Sequence, residues 1–444
     1  MVVGESAGRG ERLTGASLAI GEPMEAATIS RRQVTAAVIG NALEFYDFTI
    51  YAFFAREIGS AFFPGHSAFL SLILALATFG AGFILRPVGS VLIGRYADTH
   101  GRRPAMLFSF ALMGWAILAL ALTPTYAQIG VAAPILALAC RLAQGFALGG
   151  EVGPTTAFLI EASPPAKRGF YGAWQGASQN LAAIAGGLVG VALAAIAGAA
   201  GLQAWGWRVA FLLGAAVLPF GLWLRRNLPE TLHRVEAATA HQPASATLRG
   251  HARIIALGVA LIAAATVPTY AMTYMTTYAR ETLHMGPGIA LGAQVANGAA
   301  GAAGGLVGGV LCDRFGRKTL LIWPRIFLLV AVWPAFFLMA RNRDAVTLIV
   351  AVILLAGSLG LSTAAVYAAL AESLRKELRG VVLGGVYAVA VATFGGTTQL
   401  VIASLIQVTG DPMSPAWYVI AFTLVGLAAS LAMRETAPRL TEGR

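Results

Sequence analysis

Charge is what this chain has least of. Asp, Glu, Lys and Arg make up 11% of its 444 residues, against roughly 25% in soluble domains, which excludes an ordinary water-soluble globule. It has two cysteines, Cys140 and Cys312, each in or at the edge of an apolar run. No disulfide is expected, and nothing about compartment follows from them. No HExxH string, no Cys/His cluster and no soluble effector domain stand out, so no catalytic residue, metal or prosthetic group is expected. The glycine-rich GGEVGP at 149–154 lies inside an apolar helical run. A phosphate loop needs a strand–loop–helix setting, so nucleotide binding is not expected there.

What remains is hydrocarbon. The chain is 57% hydrophobic with a mean hydropathy of +0.73, and its 52 glycines suit the close helix packing of membrane bundles. Apolar spans long enough to cross a bilayer occur at about 34–56, 68–94, 104–123, 128–161, 170–198, 207–225, 252–279, 288–312, 318–340, 345–371, 379–408 and 414–433. The fold class is therefore all-α and integral to the membrane, with twelve transmembrane helices. The net charge of +11 follows from topology. Of the 31 Lys and Arg residues, only Arg56, Arg208, Arg280, Arg341 and Arg343 fall on one side, Arg86 and Arg141 lie within spans, and the rest share the other side. The positive-inside rule places that basic side and both termini in the cytoplasm. No nucleic-acid partner is needed to explain the basicity. Arg31-Arg32 before the first span resembles a twin-arginine signal, but no small-residue cleavage site ends that run, so it is read as a retained helix.

One stretch is written twice. GRYADTHGRRP at Gly94–Pro104 and GVLCDRFGRKT at Gly309–Thr319 share the pattern G-x-x-x-D-x-x-G-R-[RK]. Asp98 answers Asp313, Gly101 answers Gly316 and Arg102 answers Arg317. A repeat at half the chain length indicates two related halves. The expected organisation is a disordered cytoplasmic tail (1–30), a six-helix bundle (31–226), a central cytoplasmic loop (227–251), a second six-helix bundle (252–434) and a tail (435–444). Each copy is a tight, charged turn between two helices. Its glycine allows reversal, and its Asp and Arg are suited to clipping neighbouring helix ends together. Asp98, Arg102, Asp313 and Arg317 are thus candidate gating residues, and Glu151, near the cytoplasmic end of span four, is their candidate partner.

Ionisable groups inside hydrocarbon are the other signal. Glu44 and Asp47 in GNALEFYDF sit three residues apart on one helix face. Either is a candidate proton carrier, or a structural partner of a buried arginine. Arg86, followed by Pro87, either snorkels or joins a charge cluster with Asp98 and Glu151. Arg141 falls near mid-membrane with Gln144 one turn away. Its fork matches a substrate carboxylate, or an internal salt bridge to Glu44 or Asp47. Ser178, Gln179 and Asn180 in span five, and Tyr270, Tyr274 and Asn297 in the second half, complete a neutral polar set at mid-depth. Arg325 is expected to snorkel.

The duplicated Asp-containing turn resembles the signature loop of the major facilitator superfamily. GNALEFYDF, GFILRPVGS, RLAQGFALGGEVG, KRGFY, WGWRVAFLLGA with LRRNLPET, and YAVAVATFGGTTQ resemble the metabolite:proton symporter family. AWQGASQN and TGDPMSPAWY are most similar to its citrate/tricarballylate branch. The resemblance implies two pseudo-symmetric six-helix halves, alternating access and proton-coupled uptake of a small organic anion across a bacterial-type inner membrane. Protons are the coupling ion, and a monomer is expected. Glu44, Asp47, Arg86, Arg141, Asp98 and Asp313 then occupy family motif positions. Proline or betaine, 2-oxoglutarate and shikimate are alternative cargoes within the family. Proton-antiporting drug efflux is the alternative outside it, against which span five lacks the G-x(4)-G-P-x-x-G-G type segment. Two stretches depart from the family pattern. MTTYAR stands in span seven where citrate relatives have a proline-containing segment, and AESLRKELRG follows span ten without the usual prolines.

Overall fold

The computed structural model describes residues 31–65, 67–100, 102–149, 159, 163–226, 252–374 and 384–441. Every expected span is mainly helical over its described residues, with short breaks at Phe54, Leu85, residues 130–131 and Tyr274, and no strand occurs among the described residues. The expected tail 1–30, the central loop 227–251 and Glu151 lie outside the described residues, as do the side chains of Asp98 and Arg102.

In the first half, α1 (Arg31–Phe53) breaks at Phe54 and continues as α2 (Ala55–Phe62). Then come α3 (Ala68–Ile84), α4 (Arg86–His100), α5 (Arg102–Leu122), α6 (Ala132–Gly149), α7 (Arg168–Gly201) and α8 (Trp207–Arg226). The break between α3 and α4 falls at Leu85, next to the Pro87 that cannot donate to the helix. In the second half, α9 (Ala252–Thr273) is interrupted at Tyr274 and ends in a π turn, Tyr278–Thr282. It is followed by α10 (Pro287–Phe315), α11 (Arg317–Asn342), α12 (Ala345–Glu372), α13 (Gly396–Thr409) and α14 (Ser414–Ala432).

Nine helical stretches among the described residues are long and apolar enough to cross a membrane. Three of the twelve expected spans are not counted separately for physical reasons. Asn41, Glu44 and Asp47 lower the hydropathy of α1. The apolar part of α5 is short, at Leu107–Leu122, and α7 passes into α8 with no intervening loop, through a kink at Gly198 and a π turn, Leu202–Gly206.

Small residues set the helix spacing. A β-carbon at Gly145 would run into the Gly82 carbonyl, and one at Gly149 into that of Arg86. This brings α6 against α3 and α4 closely enough to place Arg86 and Arg141 in one space. The halves meet along α7 and α10, where a β-carbon at Gly309 would lie 2.7 Å from the Gly169 carbonyl. Gly316, with φ of 96°, ends α10 in a conformation open to glycine and lets α11 begin at once.

The expectation that Arg325 snorkels is not met. It is buried on α11, donating from Nη1 to the Leu321 carbonyl at 2.6 Å. Gly426 on α14 leaves the room: a β-carbon there would lie 2.9 Å from Arg325 Nε. The guanidinium therefore lies inside the helix interface instead of reaching for water.

Candidate functional site

Two spaces lie side by side near the junction of the halves. The larger, about 130 Å³, is lined by α1, α7, α9, α10, α12 and the helix preceding α13. Its polar groups are Thr49, Gln175, Gln179, Asn180, Thr266, Thr269, Tyr270, Thr273, Asn297, Thr363, Tyr367 and Tyr387, and no Asp, Glu, His, Lys or Arg is among its described lining residues. The smaller is lined by Asp47, Arg86, Arg141 and Gln144, with Phe48, Gly82, Met113, Gly145 and Leu148. At about 10 Å³ it has room for about one water at most.

The small chamber is where the buried charges converge. Arg141 Nη1 lies 3.6 Å from Asp47 Oδ2, with both side chains about 1% exposed. The same nitrogen donates to Gln144 Oε1 at 2.5 Å. Neither Asp47 oxygen has a hydrogen bond of good geometry among the described residues, so the pair is a loose contact. Arg141 also stands over the Tyr51 ring, 4.4 Å from its centroid. Arg86 stands over Phe83 at 3.9 Å and Phe48 at 4.7 Å. Aromatic faces of this kind stabilise a dehydrated guanidinium, by about 2 kcal/mol in favourable cases.

Among the described residues, Phe48 alone lines both spaces. Its ring touches Phe79 and Phe83 and faces Tyr270, with centroids at 4.5, 4.9 and 6.1 Å. It separates a neutral polar cavity from two guanidinium groups. Sequence reading missed it, since a phenylalanine in an apolar span has no composition signal.

The other expected residues separate in space. Gln179, Asn180, Tyr270 and Asn297 line the large cavity. Gln144 belongs to the small chamber, and Tyr274 packs in an apolar cluster with Met275, Tyr278 and Ala290. Glu44 is buried but lines neither space. Arg86, the first residue of α4, lines the small chamber with Asp47 and Arg141, while its expected cluster partners, the Asp98 side chain and Glu151, lie outside the described residues. Asn41, not singled out by sequence, donates to Ser178 Oγ at 2.6 Å and fastens α1 to α7.

The second copy of the duplicated turn makes a bridge between halves. Asp313 accepts the N–H groups of Gly169 and Phe170 at 2.8 and 2.9 Å, capping the first turn of α7. A carboxylate there also meets the positive end of the helix dipole. Arg317 Nη1 donates to Asp313 at 2.7 Å, and Nη2 donates to Glu372 at 2.9 Å. Glu435 accepts the N–H groups of Arg317 and Lys318 at the start of α11. Its partial burial pushes the carboxyl pKa up, but the N–H groups of Ala437, Arg317, Lys318 and Thr436 outweigh this and hold it below its ordinary value.

A paired arrangement of helices around a shared central cavity, with the same charged turn in each half, is that of a transporter. The profile of the Major Facilitator Superfamily matches residues 37–397. The chain belongs to that superfamily. Its relatives place it in the metabolite:proton symporter family, among multi-pass membrane transporters. The citrate-proton symporter of Salmonella typhi is 36% identical over 396 residues, covering 88% of this chain and 91% of the relative. The proline/betaine transporter of Escherichia coli K12 is 32% identical, covering 93% and 85%. The alpha-ketoglutarate permease of the same organism is 32% identical, covering 90% and 94%. Among solved structures, a D-xylose-proton symporter superimposes with a TM-score of 0.72 at 17% identity, over 92% of this chain and 98% of that one. The partially occluded inward-open xylose transporter XylE from E. coli gives 0.70 at 15%, over 91% and 98%. These two define the fold: twelve helices in two pseudo-symmetric halves.

Proposed function

We propose that this transporter takes up a small organic anion, a di- or tricarboxylate such as citrate or tricarballylate, together with protons. The basic face, with both termini, is cytoplasmic, and the bundles 31–226 and 252–434 alternate access around the central cavity. The observation that carries the reading is the loose Asp47–Arg141 contact at 3.6 Å, set behind Phe48 from a cavity without fixed charge. A carboxylate entering that cavity finds neutral donors first and two buried cations behind one aromatic ring. When Phe48 turns aside, substrate and Asp47 compete for Arg141, and protonation of Asp47 releases the guanidinium to the substrate. Anion and proton thus favour each other's binding, as symport requires. The names of the citrate-proton symporter relatives support the cargo.

A second cargo has its own observation. Tyr270, Tyr367, Tyr387, Phe45 and Phe48 give the cavity several aromatic faces, and such faces attract quaternary ammonium groups. That favours a zwitterion such as betaine, with its carboxylate toward Arg141, and proline/betaine transporters are among the relatives.

Uptake into proteoliposomes under an inward proton gradient tests both. Labelled citrate, tricarballylate, 2-oxoglutarate, shikimate, proline and betaine are compared with and without a protonophore. Protonophore-sensitive accumulation of a carboxylate is the expected result. Accumulation of betaine or proline alone moves the cargo to the zwitterion, and uptake of none by folded protein removes the uptake reading. Arg141→Lys is expected to weaken affinity for the accumulated carboxylate about tenfold or more, because an ammonium cannot present the bidentate fork. Unchanged affinity in a binding titration of that variant takes Arg141 out of the substrate site.

A further inference from the structure

Four charged residues on the face opposite the duplicated turn belong to none of the sites above. Arg56 Nη1 lies 2.8 Å from Glu281 Oε1, and Arg280 Nη2 lies 2.6 Å from Glu57 Oε1. Both ion pairs join the first half to the second. They are reciprocal, since each half supplies one arginine and one glutamate from adjacent positions. The sequence behind them is an internal repeat: Ala55-Arg56-Glu57 and Ala279-Arg280-Glu281. Each copy follows an interruption of its helix. The first comes after the break of α1 at Phe54, and the second after the interruption of α9 at Tyr274. The second copy lies in a π turn, an irregularity that recurs at functional positions. It also contains the arginine of MTTYAR, one of the two stretches that depart from the family pattern.

The two pairs differ in burial, and that difference divides their roles. The Arg56 and Glu281 side chains are 54% and 31% exposed, so water and salt screen them and the pair contributes little stability. The Arg280 and Glu57 side chains are 7% and 1% exposed. Charges at that depth are stable only when paired or fully hydrated. If the halves part on this side, both must be wetted at once, and an intermediate with one of them dry and alone is costly. The contact is therefore two-state: closed and paired, or open and wet. Like charges face each other in any register other than the observed one, so the exposed pair also fixes how the halves meet.

We propose that Arg56, Glu57, Arg280 and Glu281 form the gate of the face opposite the duplicated turn, closed when the reciprocal pairs are made and open when they break. Asp313 on α10 bridges the halves at one end of the molecule by accepting from α7, and these four residues bridge them at the other. Alternating access then consists of exchanging one bridge for the other.

The inference rests on the transport reading but on no particular cargo, and its deciding measurement, a distance, needs no substrate. Spin labels at Ser60→Cys on α2 and Ile289→Cys on α10, both exposed, report the separation of the halves on this face, the native cysteines being buried. Reversing one copy, Arg56→Glu with Glu57→Arg, sets like charge against like in both pairs. The distance distribution is expected to shift to longer values, and uptake of the accumulated substrate to fall about tenfold or more. Reversing the second copy as well, Arg280→Glu with Glu281→Arg, rebuilds both pairs with opposite polarity and is expected to restore the short distance. A single reversal that leaves the distribution as in the unmodified protein overturns the proposal. So does a double reversal that fails to restore it. If the single reversal does not reach the membrane, Glu57→Gln is read the same way: partial lengthening is expected, and an unchanged distribution overturns the gate.

Discussion

Asp47→Asn is expected to abolish proton-driven accumulation, leaving the labelled substrate at its equilibrium distribution while exchange across the membrane continues. Asparagine keeps the volume of the side chain and removes its titratable oxygen. Arg141 is then left 1% exposed, still donating to Gln144. Removing one member of a buried ion pair costs about 3–5 kcal/mol when the other stays dry and charged. Here an incoming carboxylate can replace the lost charge, so substrate binding is expected to survive or tighten. The accumulation ratio and the rate of counterflow, measured in the same vesicles, separate the two effects. Glu44→Gln is expected to do less, because Glu44 lines neither the chamber nor the cavity. Full accumulation by Asp47→Asn would remove this residue from the coupling step, and loss in Glu44→Gln alone would transfer the role to Glu44.

Asp313→Ala is expected to slow transport by about one to two orders of magnitude while leaving equilibrium binding of the substrate within about twofold. Asp313 holds two backbone N–H groups of α7 across the boundary between halves. Hydrogen bonds to a charged group contribute about 1.5–3 kcal/mol each, and losing them destabilises whichever state has this end closed. The residue touches neither the cavity nor the chamber, which is why binding is spared. The variant should still fold, since Arg317 keeps Glu372 through two nitrogens at 2.9 and 3.1 Å. Arg317→Ala is the harsher change, because it leaves Asp313 and Glu372 without their shared cation. Stopped-flow uptake beside a binding titration distinguishes a gate from a site. Loss of binding in Asp313→Ala would move the turn from gate to binding site.

The helices were legible because the bilayer imposes their length: a span must run about 20 apolar residues, and nothing in hydrocarbon can replace its backbone hydrogen bonds. Glu44, Asp47, Arg86 and Arg141 were legible for the converse reason, since an ionisable group in such a run is costly and stands out against its neighbours. The duplicated turn announced the two halves by repetition alone. Partners were another matter. The groups that Asp313 holds are backbone N–H donors at Gly169 and Phe170, and a backbone donor carries no residue-type signal. Arg56 and Arg280 read from sequence as ordinary charges beyond span ends; only the meeting of α2 with the π turn after α9 pairs them with Glu281 and Glu57. Arg325 looked able to reach water, and Gly426 on a helix a hundred residues away decided that it would not. By itself, then, the sequence determined which segments enter the membrane and which buried charges they carry. The tertiary structure decided which charges meet, and that Phe48 stands between them and the cavity, because those facts depend on helix rotation and spacing set by small residues far apart in the chain.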